Sequence, residues 1–328
     1  MIMRKYDVVT VGEVLIDFTP DGKSKKGMAL YECNPGGAVA NVLAAVNRFG
    51  GNTAFIGKVG EDSFGTFLCD TLVSYGIDTS GLLFDKKIPT TLAFVTLDEK
   101  GDRSFSFYRK PGADVMLSWD EIDKNKLEEA KIFHFGSVSL TDDPAYTATI
   151  EAAKYAKEKG AVISYDPNYR PLLWDSTELA VKRMTEGALI ADIIKVSEEE
   201  LELLTGESDL DKGAAKLMDM GAVLVFISLG AKGSYYCNKN GSRFMYTYDV
   251  KTVDTTGAGD AFLGAILYRL KDKTLSEITE LTAAELDDIL DFANASGSLT
   301  TIKTGGAPSI PTLEEIDVCR KTVKKLEI

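Results

Sequence analysis

The sequence predicts an α/β protein, with a central, mostly parallel sheet flanked by helices and a small β-sheet lid. Two observations carry this. From Gly36 onward, short apolar runs alternate with amphipathic stretches, as βαβ units require. Two segments break that alternation and read as antiparallel β structure outside the main sheet.

The N-terminal MIMRKYDVVTVGEVLID meets Asp7 and Thr10 early and has no small-residue cleavage site, so it reads as a first strand rather than a signal peptide. Further strands are expected at 53–59, 131–136, 161–166, 192–196 and 222–230. Helices are expected between them at 38–50, 62–76, 143–160 and 209–221. Toward the C-terminus 261–270, 283–301 and 314–328 read as helices, and the Gly- and Pro-bearing stretch 301–312 as a loop. The exceptional segments are GEVLIDFTP (12–20) with MALYECN (28–34), and TTLAFVTLD (90–98) with RSFSFYR (103–109), where Gly101 would supply the turn. Both alternating faces of TTLAFVTLD are apolar. The pattern admits a lid packed on both sides or a hairpin lying on the main core.

At 328 residues, 45% hydrophobic and 27% charged, the chain has material for one large α/β domain with an appendage, or two modest domains. A net charge of −13 opposes binding to nucleic acid and to anionic membranes, and no stretch approaches 18 apolar residues. Cys33, Cys69, Cys237 and Cys319 are scattered without a CxxC pair, which points to a reducing cytoplasm rather than a zinc or disulfide framework. His134 is the sole histidine and sits in an apolar run. A histidine-based triad or a multi-histidine metal site is therefore hard to build, and His134 reads as a strand residue with a structural hydrogen bond. The chemistry must rest on carboxylates, amides and basic side chains.

The decisive segment is VDTTGAGDAFLGAIL (253–267), a polar-to-glycine turn opening into an apolar helix. Gly257 and Gly259 let backbone approach a ligand without a Cβ clash. The amides of Gly257, Ala258, Gly259 and Asp260 would then face one anion hole at a helix N-terminus. Asp260 at its rim would be held ionised by the helix dipole, as a base must be. Such a hole suits phosphoryl transfer. The same residues also fit a tight strand-to-helix turn capped by Asp260. No GxxxxGK[ST] is present, and no GxGxxG follows the first strand, so a nucleotide would be bound in another way.

DTTGAGDAF closely resembles the C-terminal motif of the ribokinase-like (PfkB) carbohydrate kinases. NPGGAVANVLAAVNRFGG (34–51), followed by FIGKVGEDSFG (55–65), resembles their N-terminal motif. GEVLIDF, IPTTLAFV, RSFSFYRKPGADVML, IFHFGSVSL, YDPNYRPLLW and DIIKVSEEELELLTG are similar to the bacterial and plant fructokinase branch. Relatives acting on aminoimidazole riboside or ketodeoxygluconate share parts of these blocks. The resemblance spans the chain. It implies a single ribokinase-like catalytic domain over 1–328, with a β lid from about 13–34 and 88–112.

The resemblance also implies site roles. Asp260 would be the base, and the amides of Gly257, Ala258 and Gly259 the anion hole. Asp17, Gly36, Gly37 and Asn41 would bind sugar, with Arg109 and Arg170 in the pocket; surface pairing is the plainer reading of both arginines. Lys195, Ser197, Glu200, Ser228, Gly230, Gly233 and Asn294 would lie on the ATP side, with Glu200 ordering water around Mg²⁺. Ser197 stands where many relatives carry Asn, which puts a direct Mg²⁺ role for it in doubt. Asp254, Thr256, Thr300, Lys303, Gly305 and Ser309 would hold K⁺, mostly through backbone carbonyls. The implied activity is ATP-dependent phosphorylation of fructose. A kinase for ketodeoxygluconate, ribose or aminoimidazole riboside is the alternative, and a non-catalytic sugar-binding homologue the remote one. A homodimer through the lid is also expected.

Overall fold

The computed structural model describes residues 4–97 and 103–326, with backbone alone for 96, 97 and 103–105. The expected turn at Gly101 lies outside the described residues.

The chain runs β1 (Tyr6–Val11), β2 (Leu15–Lys23), β3 (Ala29–Gly36), α1 (Ala38–Arg48), β4 (Thr53–Gly60), α2 (Ser63–Ser74), β5 (Asp78–Asp85), β6 (Leu92–Leu97) and β7 (Arg103–Tyr108). It continues with α3 (Lys124–Glu128), β8 (Ala130–Gly136), α4 (Ala145–Glu158), β9 (Val162–Asp166), α5 (Thr177–Ala188), β10 (Ile193–Ser197), α6 (Glu198–Thr205), α7 (Leu210–Asp219) and β11 (Leu224–Ser228). The last elements are β12 (Ser234–Asn238), β13 (Gly241–Met245), α8 (Ala258–Leu270), α9 (Leu275–Thr279), α10 (Ala283–Thr300) and α11 (Leu313–Thr322).

The main sheet has the order β13-β12-β11-β10-β9-β8-β1-β4-β5, and β2, β3, β6 and β7 form a second sheet in the order β3-β2-β6-β7. Pairing is parallel from β11 to β5 and antiparallel at β12 and β13. Apolar side chains leave both faces of the parallel strands, because each face is covered by helices. On one side α1, α8 and α10 close over Val8, Ile132, Val162 and Ile193. On the other, α4 to α7 close over Val9, Phe133, Ile163 and Ile194.

Several elements differ from the sequence reading, the short helices α3 and α9 and the helix α5 among them. β5 and the β12–β13 hairpin were not anticipated. The hairpin turns at Lys239–Asn240, pairing Asn238 with Gly241, so the Asn-Gly dipeptide was its sequence signal. The final helix stops at Thr322 instead of running to 328, because Val323 is extended and Lys325 bridges back to Tyr248. Among the described residues no helix is long and apolar enough to cross a membrane.

One helix contact sets the geometry of the cleft. Gly264 of α8 lies so close to α1 that a Cβ there would fall 2.5 Å from Ala45 Cβ and 2.9 Å from Val42 O. α1 carries Asn41 and α8 carries Asp260, so this close approach fixes their separation. Gly264→Val should cost about 1–3 kcal/mol through overpacking. Thermal denaturation should show a midpoint lower by several degrees.

Candidate functional site

The cleft lies at the carboxyl ends of the parallel strands, where open α/β sheets place their ligand sites. Helices α1 and α8 both open there on a glycine, without a side-chain cap. Gly37 has φ 118° and Gly257 has φ 76°, conformations a side chain would resist. A Cβ on Gly257 would also fall 2.7 Å from Gly306 Cα, so the 305–309 loop packs directly behind the GAGD turn.

Asp260 is buried in the first turn of α8. Its Oδ2 accepts from Asn41 Nδ2 at 2.8 Å, and its Oδ1 from Asn168 Nδ2 at 3.2 Å. Burial pushes this carboxyl up to about 6, against the opposing pull of Asn41, Lys195 and Arg170. The turn departs from the expected set of amides at one position. Ala258 N–H donates to Thr255 O at 3.2 Å and is spent on the turn itself. Gly257, Gly259 and Asp260 keep N–H groups with no backbone acceptor among the described residues.

Lys195 sits beneath this turn, its Nζ 3.3 Å from where a Cβ on Gly259 would lie. It pairs with Asp166 Oδ2 at 2.9 Å, both groups buried. Burial opposes its charge, yet Asp166, Glu200 and Asp260 hold its pKa above the ordinary value. Glu200 accepts from Tyr169 N at 2.6 Å and Ser197 N at 2.8 Å, and Ser197 Oγ accepts from Glu200 N. Ser197 and Glu200 therefore form the capping box of α6. Burial, then the charge of Asp166, raise the Glu200 carboxyl. His134 makes a buried contact with Ser164 Oγ at 3.1 Å, and burial with the nearby Lys195 charge pushes it down to about 3. It is a neutral strand residue, as expected.

The small sheet brings Asp17 to the cleft. Its carboxylate lies against the Gly36 backbone, where a Cβ would fall 2.2 Å from Oδ2. Burial raises it to about 6, with Arg170 pulling the other way. Arg170, itself exposed, pulls electrostatically on both Asp17 and Asp260. Arg109 behaves differently. Its guanidinium is buried and donates to Asp114 Oδ2 (2.8 Å), Thr141 Oγ1 (2.7 Å) and Val138 O (2.9 Å), clamping the base of the small sheet. This corrects its expected place in the pocket, because those bonds hold the guanidinium within the protein.

Other expected residues fall into two groups. Ser228 ends β11 beside Val196 O, and Gly230 (φ 58°) has open space where a Cβ would sit. Gly233 is pressed on Met245 O, so its smallness serves the β12–β13 hairpin rather than a ligand. Asn294 accepts from Ser234 Oγ at 2.7 Å and is buried on α10. Asp254 binds Thr256 N and Oγ1 and takes Gly305 N at 3.1 Å, tying the two loops of the expected cation set together. Ser309 closes on the Gly305 and Gly306 carbonyls, and Thr300 Oγ1 donates to Ser296 O. Lys303 is exposed and pairs with Glu315 at 3.6 Å, which leaves only its backbone for a cation. Among the described residues no cluster of three or more His, Cys, Asp or Glu could hold a metal.

Sequence reasoning missed Asp166, Asn168 and Glu13. Asp166 and Asn168 stood in the quoted YDPNYR block, where a polar triplet ending an apolar strand was the signal. Glu13 accepts from Ala38 N at 2.9 Å and anchors the α1 start, with burial raising it to about 7.

Fold and cleft together define a sugar kinase of the ribokinase type, and the chain belongs to the pfkB family of carbohydrate kinases, matched over residues 5–313. It is 44% identical over 315 residues to Fructokinase-2 of Solanum lycopersicum, covering 94% of each chain. Fructokinase from Xylella fastidiosa, solved with bound ATP, superposes with a TM-score of 0.89 at 32% identity, over 96% of this chain and 98% of that one. A fructokinase double mutant from Vibrio cholerae O395, solved with fructose, ADP and a potassium ion, gives 0.85 at 34% identity over 96% and 99%.

Removing the Asp17 charge should stabilise the fold. Its folded pKa lies above the ordinary 3.8, so the ionised form is the disfavoured one in the native state. The native protein binds more protons than the unfolded chain between about pH 4 and 6, so stability falls as pH rises through that window. Asp17→Asn should therefore raise the thermal midpoint at pH 8, and the gain should shrink toward pH 4. An equal effect at both pH values would contradict the electrostatic origin.

Proposed function

We propose that this chain is a fructokinase, transferring the γ-phosphoryl group of ATP to the 6-hydroxyl of D-fructose to give D-fructose 6-phosphate and ADP. The observation that carries this reading is the placement of Asp260. A buried carboxylate stands at an uncapped, glycine-opened helix N-terminus, and the charge of Arg170 acts on both it and the buried Asp17. The named activity of full-length relatives supports fructose within the family.

Asp17 would accept hydrogen bonds from sugar hydroxyls, with Gly36 leaving room for its carboxylate. Asp260 would take the proton of the attacking hydroxyl as its oxygen bonds the γ-phosphorus. The bond from that phosphorus to the bridging oxygen breaks, and ADP leaves with the electron pair. The N–H groups of Gly257 and Gly259, with Lys195 beneath, would receive the charge on the transferred group. The β11 end with Ser228 and Gly230, and α10 with Asn294, would flank the rest of the nucleotide.

Mg²⁺, when bound, would supply neutralisation of the phosphate charge. Both Glu200 oxygens already accept a backbone N–H, which suits ordering the ion's waters over direct ligation. A monovalent cation would sit between the 254–256 and 300–309 loops, which Asp254 ties together through Gly305 N. We place the enzyme in the cytoplasm, where its four free thiols would persist.

The lid also suits pairing of two copies. By register, Asp17 and Ala93 share one face of the small sheet, and Phe18, Cys33 and Phe94 the other. Phe18 stacks on Phe94 at 4.7 Å, with Tyr31 and Tyr108 edge-on to Phe94. Tyr108 is 66% exposed and Met28 67%. An apolar face of this kind favours burial against a second copy.

The reading is tested by ADP release with Mg-ATP and K⁺ over fructose, ribose, ketodeoxygluconate, aminoimidazole riboside and glucose. Fructose should turn over fastest, and a faster rate on another sugar would move the substrate. Asp260→Asn should lower kcat by about 10²–10⁴-fold in a folded protein. In the wild type, kcat/KM should fall below about pH 6 as Asp260 and Asp17 protonate. Sedimentation should give a dimer that Tyr108→Asp weakens, and a wild-type monomer would remove the lid interface.

A further inference from the structure

We infer that Asn168 is a positioning residue for the base, holding the Asp260 carboxylate in the one orientation that presents a free lone pair to a sugar hydroxyl. This rests on the reading of Asp260 given above. Among the described residues Asn168 is the only non-glycine with positive φ, at 46°. Such a backbone is disfavoured for any residue that bears a side chain, and it persists only where the surroundings impose it. Asparagine bears it better than other side chains.

The conformation produces a run of ties along residues 166–169. Asn168 N donates to Asp166 Oδ1 at 3.2 Å, and Asp166 Oδ2 takes the Lys195 ammonium at 2.9 Å. The Asn168 side chain reaches Asp260 Oδ1 at 3.2 Å, and the next amide, Tyr169 N, reaches Glu200 Oε1 at 2.6 Å. A change at residue 168 therefore reads through to three acidic groups of the cleft.

Asn41, arriving from α1, holds the other oxygen of Asp260. A carboxylate only accepts, so both amides must present their NH₂ ends to it. With one donor on each oxygen the carboxylate cannot rotate, and each oxygen keeps a second lone pair. Asn168 itself gains and loses no proton in the reaction. The charged groups bearing on Asp260 are Asp166 at the end of β9, Lys195 on β10, and Arg170 in the loop after β9. Glu200 on α6 acts through Lys195, and Asp17 on the lid shares Arg170.

The test compares Asn168→Gly, Asn168→Asp and Asp260→Asn in the full-length enzyme. Glycine accepts the left-handed backbone freely, so Asn168→Gly removes the amide while sparing the fold. It should lower kcat about 10–100-fold, a fraction of what a general base contributes, with KM for ATP within about twofold. The acid limb of kcat should move to higher pH, because a donor to the ionised carboxylate is gone. Asn168→Asp should move it further, since a like charge replaces that donor. An unmoved acid limb in Asn168→Gly overturns the inference, and a fall in kcat accompanied only by a lower thermal midpoint would make Asn168 structural. Turnover surviving in Asp260→Asn would overturn the base assignment itself, a separate and distinguishable failure.

Discussion

A carboxylate taken out of water at the start of α8 is the constraint around which the cleft is built. An isolated buried charge is costly, and the group neutralises unless donors and cations surround it. Asp260 meets this with two asparagine amides, the positive end of its helix, and the fields of Lys195 and Arg170. None of these is local. Asn41 lies 219 residues away in sequence and Asn168 lies 92 away. The compensation is incomplete, and the carboxyl stays raised to about 6. In the proposed role of base, such a carboxyl is ionised at working pH while retaining more proton affinity than a free aspartate.

The remaining charges follow from the same constraint. Lys195 is buried beneath the GAGD turn and is tolerated there because Asp166 bonds it directly and Glu200 adds to the field. Glu200 in turn is tied to two backbone amides, one of them from the strap that carries Asn168. Asp17 sits on a separate sheet and carries the same kind of burial strain. Two buried carboxylates held above the ordinary range are unfavourable for the fold and, on the proposed reading, useful to a ligand rich in hydroxyls. Stability and function pull in opposite directions here.

The small sheet has to be held in register for Asp17 to keep its place against Gly36. Its base is clamped by Arg109, which links Asp114, Thr141 and Val138, and by Asp62, which takes both Thr90 N and Thr90 Oγ1 while capping α2. Arg109 looked from its sequence neighbours like a pocket residue. Only the fold reveals that its fork is used to brace the small sheet, because Thr141 and Val138 come from the segment that follows β8.

Much of this molecule follows from local pattern. The alternation of apolar strands and amphipathic helices gave the layered sheet, since period and burial are properties of short segments. Ser/Thr-x-x-Glu boxes start α6, α9, α10 and α11, each closed within four residues. GAGD declared itself as a glycine turn opening a helix, for the same reason. The edge strands β5 and β13 stayed hidden because partly exposed, glycine-bearing strands leave little periodic signal. What the tertiary structure alone decided is which polar groups meet: Asn41 and Asn168 on Asp260, Asp166 on Lys195, and Gly306 behind Gly257. A sequence specifies side-chain chemistry and local backbone preference residue by residue. The pKa of a base and the aim of its carboxylate depend on groups brought together across the strand ends, and those distances exist only in the folded chain.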